Sequence, residues 1–463
     1  MSGASQSNAL PDGVVLGYYG DDFTGSTDAL EVLSFAGLKT VLFTALPTAE
    51  QLAQFSDYRA IGIAGTARSQ SPAWMDENLP TVFRTLAGLG APVIQYKVCS
   101  TFDSAPHVGS IGRAIEHGMA AVPGNWSPCI VGAPQIKRWL VFGHLFAGVN
   151  GVRYRIDRHP TMSRHPVTPM QESDLRCHLA AQTSLLSVSV DIDDMERGNP
   201  DAKVQVAREQ GGIALLDVVD DNTQAHAGRL VWENRDGQIF TAASSGLEYA
   251  LIAHWRKAGL IAPTAPDFPA YPPVDRVLVL SGSCSPVTAE QIDHAEKAGF
   301  AALRLDVTRL IDTAQADAEI GRVVAALAQA YSDHAGVIVY AAKTVDDAAF
   351  RELERLCETR NIAFAEAQQR IGQALGEIAL NAIPQHRLQR LVIAGGDTSG
   401  RIVETLPITA LEAKYPFAVG APFCHCHSDT PAFDGLEIAL KGGQVGDADL
   451  FVSAMGRLSA NCT

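Results

Sequence analysis

The feature that most constrains this chain is a rhythm. Short β-branched apolar runs alternate with longer stretches of helical period. "VVLGYY" leads into "STDALEVLSFAG", then come "TVLFTA", "AIGIAG", a helical stretch over roughly residues 72–88, and "VIQYKVC". Strands separated by helices imply βαβ units and mostly parallel sheet. The rhythm stops in "HWRKAGLIAPTAPDFPAYPPVD" (254–275), whose five prolines suit neither helix interior nor central strand and mark a linker. It then restarts with "RVLVLSGSCS", "PVTAEQIDHAEKAG", "ALRLD", "VIVYAAK", a long helix over about 364–381, and "RLVIAGGDTSG". A chain of 463 residues is too long for one ordinary domain. The expectation is two α/β domains with mostly parallel sheets and an interdomain active-site cleft, the first over residues 1–258 and the second over 259–463.

Composition narrows the partners. The formal net charge of −15 is spread along the chain, which argues against sequence-independent nucleic-acid binding, since that needs clustered Lys and Arg. An anionic ligand would need a local group of donors and cations. No apolar stretch approaches the roughly 20 residues of a membrane span, and "MSGASQSNALPD" has neither the basic start nor the apolar run of a targeting segment. The eight cysteines are scattered without framework spacing, as expected for a reducing cytoplasm. These features predict a cytoplasmic protein with small-molecule partners, no nucleic acid and no membrane; a homo-oligomer stays open.

Three Gly/Ser/Thr-rich turns follow apolar runs in the second half: "SGSCSPVT" (281–288), "AGGDTSGR" (394–401) and "ALKGGQVG" (439–446). Glycine lets backbone N–H groups approach a ligand, and a helix N-terminus favours phosphate. Any one could be an ordinary strand-to-helix turn; together they predict a nucleotide site at Ser281, Gly282, Ser283, Gly395, Gly396, Asp397, Thr398, Lys441, Gly442 and Gly443. Lys441 is the cation expected near phosphates, or else a solvated lysine. The second turn has the glycine spacing of a P-loop, Gly395 to Gly400, but Arg401 and Ile402 stand where Lys and a metal-holding hydroxyl belong, so a P-loop is rejected.

The first half is richer in polar clusters. In "GDDFTGSTD" the adjacent Asp21 and Asp22 could hold Mg²⁺, bind hydroxyls or deprotonate one, and like charges raise one pKa of such a pair. Helix capping would explain one of these polar residues, but not the whole run. "YKVCSTFDSAPHVGSIG" (96–112) offers Lys97, Ser100, Thr101, Asp103 and Ser104. "RHPTMSRHPVTPMQESDL" (158–175) places Arg158, His159, Arg164, His165 and Thr168 in a basic loop suited to an anion, or in a surface loop of accidental charge. His144 in "VFGHLFAG" fits a satisfied core histidine better than a catalyst. In "FCHCHSD" (423–429) at most two neighbouring side chains converge, and no finger-like spacing accompanies them, so a structural zinc is not favoured.

"GDDFTGSTD", "KVCSTFDS", "GHLF", "HPVTPMQESDL", "SGSCSPVTAEQ", "GGDTSG" and "LKGGQVG" occur in this order from about residue 14 to about 455. Together they resemble the four-carbon acid sugar kinase family, which phosphorylates threonate, erythronate or 3-oxo-tetronate with ATP. The resemblance implies a sugar-acid site in the N-terminal domain at Asp22, Lys97, Ser100, Asp103, His165 and Thr168. It implies an ATP site in the C-terminal domain at Ser283, Gly395, Gly396, Asp397, Thr398 and Gly443. Asp21 and Arg164 join the first site from the residue reading. The expected reaction moves the γ-phosphoryl of Mg·ATP to the terminal hydroxyl of a small sugar acid. Asp22 would accept or orient the attacking hydroxyl's proton, while Lys97 and the basic loop would grip the carboxylate; the Mg²⁺ ligands are not assigned. "YYGDD" departs from the alanine that many relatives carry before the aspartates, and Asp397 and "LKGGQVG" depart from "GGETSG" and "LKSGNFG". "KVCSTFDS", "GHLF" and "HPVTPM" look closer to 3-oxo-tetronate kinases than to threonate kinases, with 3-oxo-isoapionate as a related substrate and D-threonate or D-erythronate as alternatives. A sugar-acid dehydrogenase or isomerase would want a GxGxxG strand end, which is not found. A non-catalytic sugar-acid sensor is the remaining rival.

Overall fold

The computed structural model describes residues 9–149, 151–165, 167–344 and 346–456, and the side chains at 313, 365 and 397 lie outside that description. Backbone contacts divide the chain into two units, Met1–Val41 with Leu46–Asp267 and Leu42–Ala45 with Phe268–Thr463. Both are α/β, as the strand–helix rhythm predicts.

The first unit contains β1 (Leu16–Gly20), the start of β2 (Thr40–Phe43), β3 (Ala60–Ala64), β4 (Val93–Lys97), β5 (Ser127–Cys129), β6 (Arg138–Val141), β7 (His144–Val149), β8 (Val152–Arg155), β9 (Ser187–Val190), β10 (Ile213–Leu216) and β11 (Ile239–Ala243). Its principal sheet runs β11–β4–β1–β3, all parallel. Each of these strands is buried along its length, which is why each reads as a continuous apolar run. The helix Pro72–Gly88 shows how sequence makes the covering layer. Ser71 caps it by accepting from Trp74 N, Pro72 sits at the first helical position, and Met75, Leu79, Phe83 and Leu86 form one buried stripe. Phe83 meets Tyr19, Tyr96 and Phe240 edge-on at 4.9–6.5 Å between ring centroids. Two small sheets complete the unit, a parallel β5–β10–β9 and an antiparallel β6–β7–β8.

The second unit contains β12 (Val277–Ser281), β13 (Ala301–Arg304), β14 (Gly336–Tyr340), β15 (Arg390–Ala394), β16 (Ala410–Ala418), β17 (Ala421–His427) and β18 (Glu437–Lys441). The order is β16–β17–β18–β15–β12–β14–β13, parallel from β18 to β13 and antiparallel around β17; Leu42 and Phe43 pair antiparallel with β16. The proline-rich stretch has no regular element between the helix ending at Lys257 and β12. Its end is tied to the second unit by Arg390. That guanidinium is fully buried, ion-paired with Glu437, and donates to Ala454 O (2.7 Å) and Pro272 O (3.0 Å), with the Phe423 ring 4.5 Å away.

In each unit the strand order reverses direction beside the first strand. β3 and β4 flank β1, and β14 and β15 flank β12. In open α/β sheets ligands bind at such points, outside the carboxyl ends of the strands.

Candidate functional site

At the carboxyl edge of the first unit, Gly20 is in register with both Ala64 and Lys97, so the residues just beyond β1, β3 and β4 meet. Asp21 N donates to Lys97 O (2.9 Å), and Arg68 N, in the turn after β3, donates to Asp21 O (3.1 Å). The two aspartates then diverge. Asp22 caps the helix Phe23–Phe35: its Oδ1 accepts from Gly25 N (2.7 Å), and its Oδ2 accepts from Thr24 Oγ1 (2.8 Å) and pairs with the Arg68 guanidinium. Asp21 is buried and its Oδ1 has no hydrogen-bond partner among the described residues. Burial, helped by the Asp22 charge and opposed by Arg68 and Lys97, pushes its pKa up to about 8.

Lys97 is wholly buried, donates to Val98 O (3.1 Å) and lies 3.5 Å from Asp28. Burial disfavours its charge, but Asp28, Glu248, Asp22 and Asp21 prevail and hold its pKa above the ordinary amine range. Beyond β4, Thr101 Oγ1 donates to Asp103 Oδ1 (2.5 Å), and Thr168 Oγ1 donates to Asp103 Oδ2 (3.0 Å). His165 Nδ1 accepts from Thr168 N (3.1 Å). Burial would raise the Asp103 pKa, yet Arg68, Thr101, His165 and Thr168 together keep it below the usual carboxylate range. Asp103 is therefore an ionised acceptor and Asp21 a largely protonated one at neutral pH. Ser100 is half-buried beside this group. Arg164 is exposed in the turn Met162–Arg164, and the described network takes in His165 and Thr168 from that loop without the Arg164 side chain. His144 Nδ1 lies 3.0 Å from Ser173 Oγ, a partnered histidine of the small antiparallel sheet.

Sequence reasoning missed Arg68 and Glu248. Arg68 is a second cation, beside Lys97, that faces both aspartates, and Glu248 is fully buried, accepts from Gln95 Nε2 (3.3 Å), and has its pKa pushed up to about 8 by burial. "GTARSQ" and "SSGLEY" carry no motif; only a basic residue shortly after a strand end hinted at the first.

In the second unit the three glycine-rich turns come together. Ser281 is in register with Ala394, and Ala394 with Lys441, so all three turns leave the sheet at one edge. Gly282 N donates to Ala394 O (3.1 Å) and Gly395 N to Lys441 O (3.0 Å). The fit is close. A Cβ at Gly282 would lie 2.5 Å from the Thr398 side chain, and one at Gly443 would lie 2.9 Å from Ser283 Oγ. Gly395, at φ +140°, has a backbone conformation that side chains disfavour. It opens the helix Gly396–Thr405, whose N-cap glycine has no side chain to cap it, and uncapped first-turn N–H groups are suited to an anion. Gly396, Thr398 and Gly442 are half-buried around it, while the Asp397 side chain lies outside the described residues. Ser283 is buried with its Oγ 3.2 Å from Thr288 Oγ1; Ser281 Oγ is buried with no hydrogen-bond partner among the described residues. Lys441 is fully buried, donates to Thr288 Oγ1 (2.9 Å) and Gln291 Oε1 (2.7 Å), and burial pushes its pKa down to about 7. Thr288 in turn donates to Gly443 O (3.0 Å), and Gln291 Nε2 lies within 3.1 Å of the carbonyls of Val445, Gly446 and Asp447. The lysine thus braces the third turn from beneath.

Comparison with known proteins agrees with this division. A family model described as a sugar-binding N-terminal domain matches residues 16–251, and one described as a nucleotide-binding C-terminal domain matches residues 278–451. The chain is 50% identical to a 3-oxo-isoapionate kinase of Paraburkholderia graminis, over 96% of this chain and 95% of that one. It is 30% identical to a 3-oxo-tetronate kinase of Pseudomonas fluorescens, over 98% of each. A crystal structure from Salmonella typhimurium LT2 shares the fold with a TM-score of 0.74 at 24% identity, covering 95% of this chain and 98% of the other. Among the described residues no helix is long and apolar enough to cross a membrane.

Proposed function

We propose a substrate and a division of labour from one premise: the chain belongs to the four-carbon acid sugar kinase family, with its sugar-binding N-terminal and nucleotide-binding C-terminal domains. It is an ATP-dependent sugar-acid kinase. The proposed acceptor is 3-oxo-isoapionate or a close 3-oxo acid, phosphorylated on its terminal hydroxyl. The similarity to a 3-oxo-isoapionate kinase at 50% identity over almost the whole chain is the observation that carries this choice. The cytoplasm, where ATP is supplied, is the proposed setting of the reaction, and Mg²⁺ is proposed to accompany the nucleotide.

The residues of the first unit divide the work. Asp103, held ionised, accepts hydrogen bonds from substrate hydroxyls, while Ser100, Lys97 and His165 favour the substrate carboxylate, with Arg164 drawing it in from the loop surface. Asp22 has both oxygens engaged with the helix start, Thr24 and Arg68, so it orients the guanidinium. That leaves Asp21, with an unpartnered oxygen and a pKa near 8, as the group best suited to take the proton of the attacking hydroxyl. This assignment supersedes the expectation that Asp22 is the base.

In the second unit Gly282, Ser283, Gly395, Gly396, Thr398, Gly442 and Gly443 would hold the nucleotide phosphates, through backbone N–H groups that the glycines let approach closely and through the Ser283 and Thr398 hydroxyls. ATP, when bound there, supplies the phosphoryl group. Lys441 supports the third turn from behind through Thr288 and Gln291, and the unpartnered Ser281 hydroxyl is left to the nucleotide side. Catalysis in such transfers rests mainly on positioning and charge neutralisation.

The test is ADP release with Mg·ATP across 3-oxo-isoapionate, 3-oxo-tetronate, D- and L-threonate and D-erythronate. Turnover on 3-oxo-isoapionate well above the others is expected. Preference for a threonate or erythronate would overturn the substrate choice, and silence on every acid with ATP still bound would favour a sensor.

A further inference from the structure

Phe423–His427 of the stretch "FCHCHSD" ends β17, and strand alternation separates its Cys and His pairs. Cys424 and Cys426 point into the core and are buried. His425 and His427 lie on the opposite face, half-buried, with ring centroids 5.2 Å apart. The chain then turns through residues 428–435 and returns, Gly435 N donating to Cys426 O (2.9 Å), which brings Asp434 back over the same face. One donor atom from each of His425, His427 and Asp434 lies within 4.8 Å of the others. On the neighbouring strand Glu412 is the direct cross-strand partner of His425, and its Oε2 is 2.7 Å from His427 Nε2.

We propose that His425, His427 and Asp434 form a site for a divalent transition-metal ion of the zinc type. The donor set is two imidazole nitrogens and one carboxylate oxygen, which suits Zn²⁺ and not the all-oxygen preference of Mg²⁺ or Ca²⁺. A carboxylate hydrogen-bonded to the far nitrogen of a ligand imidazole is a common outer partner, fixing the ring's tautomer and orientation, and with His427 Nδ1 as the ligand atom Glu412 would stand in that relation through Nε2. The three ligands come from the strand and from the turn that follows it, so an ion would tie Asp434 to β17. This is a stabilising cross-link in the β16–β17 hairpin region, separate from the glycine-rich turns and from the Mg²⁺ of the nucleotide. It goes beyond the kinase reading and does not depend on it.

The experiment uses full-length protein stripped with a chelator, then titrated with Zn²⁺ by calorimetry and with Co²⁺ by absorption. One Zn²⁺ per chain, a rise in Tm on binding, and a Co²⁺ spectrum with d–d bands but no thiolate charge-transfer band are expected. The double variant His425→Ala/Asp434→Asn should lose the ion and the Tm rise while keeping its fold and kinase turnover. Glu412→Gln should weaken binding roughly ten- to a hundred-fold. Unchanged binding in the double variant, or a thiolate band that moves the site to cysteine, would overturn the assignment.

Discussion

At the scale of single residues, two adjacent aspartates have different fates because one faces a helix end and the other does not. Asp22 meets the open N–H groups of the helix Phe23–Phe35 and the Arg68 guanidinium, which together engage both of its oxygens. Asp21 is turned into the protein with one oxygen unpaired, and burial raises its pKa to about 8. A base must lose its proton to act, so kcat/KM is expected to rise with pH through a limb near 8. In Asp21→Asn the limb should vanish, with kcat lower by about 10²-fold or more and KM for the acid little changed. A pH–rate profile checks this; a surviving limb would remove Asp21 from the role. Asp22→Asn should instead raise KM and lower Tm, because it weakens the Arg68 pair.

At the scale of elements, register makes the nucleotide side. Three turns far apart in sequence share one edge because Ser281, Ala394 and Lys441 are aligned across β12, β15 and β18. The turns were legible beforehand, since glycine after an apolar run carries backbone information in its residue type. Their alignment was not, because register depends on strand order. Gly443 shows how tight the result is: an added Cβ meets Ser283 Oγ at 2.9 Å and Ser285 Cβ at 3.1 Å. Overpacking of this kind costs about 1–3 kcal/mol. Gly443→Ala is therefore expected to raise KM for ATP roughly ten-fold, leaving KM for the sugar acid near wild type. Steady-state kinetics with each substrate varied in turn separate the two.

At the scale of the whole molecule, buried ionisable groups make stability depend on pH. Asp21 and Glu248 both have folded pKa values near 8 against ordinary values near 4. The fold therefore keeps two protons that the unfolded chain releases. Their contribution is fully present below about pH 4 and is lost as pH rises through about 8. Lys441 has the opposite sign: depressed to about 7, it contributes stability above about 10.5 that is lost as pH falls through 7. Asp21→Asn and Glu248→Gln should each gain Tm relative to wild type as pH is raised from about 5 to about 8.5. A Tm difference that stays flat with pH would show that neither carboxyl is held protonated in the fold.

Much of this architecture was present in the sequence, because strand, helix and turn signals are local. The βαβ rhythm, the proline-rich break, the helix at Pro72–Gly88 and the glycine turns all follow from residue type and spacing. The order of motifs was enough to point to the family. What depended on tertiary structure is everything set by long-range proximity and burial. Arg68 stands in a segment without a motif and becomes the counter-charge of Asp21 and Asp22 only because β3 lies beside β1. Lys441 sits beside two glycines in sequence, yet β18 buries it behind them on Thr288 and Gln291. A sequence specifies which groups are available, whereas their charge state and their partners are fixed by solvent exclusion and distance, and those exist only once the sheet has formed.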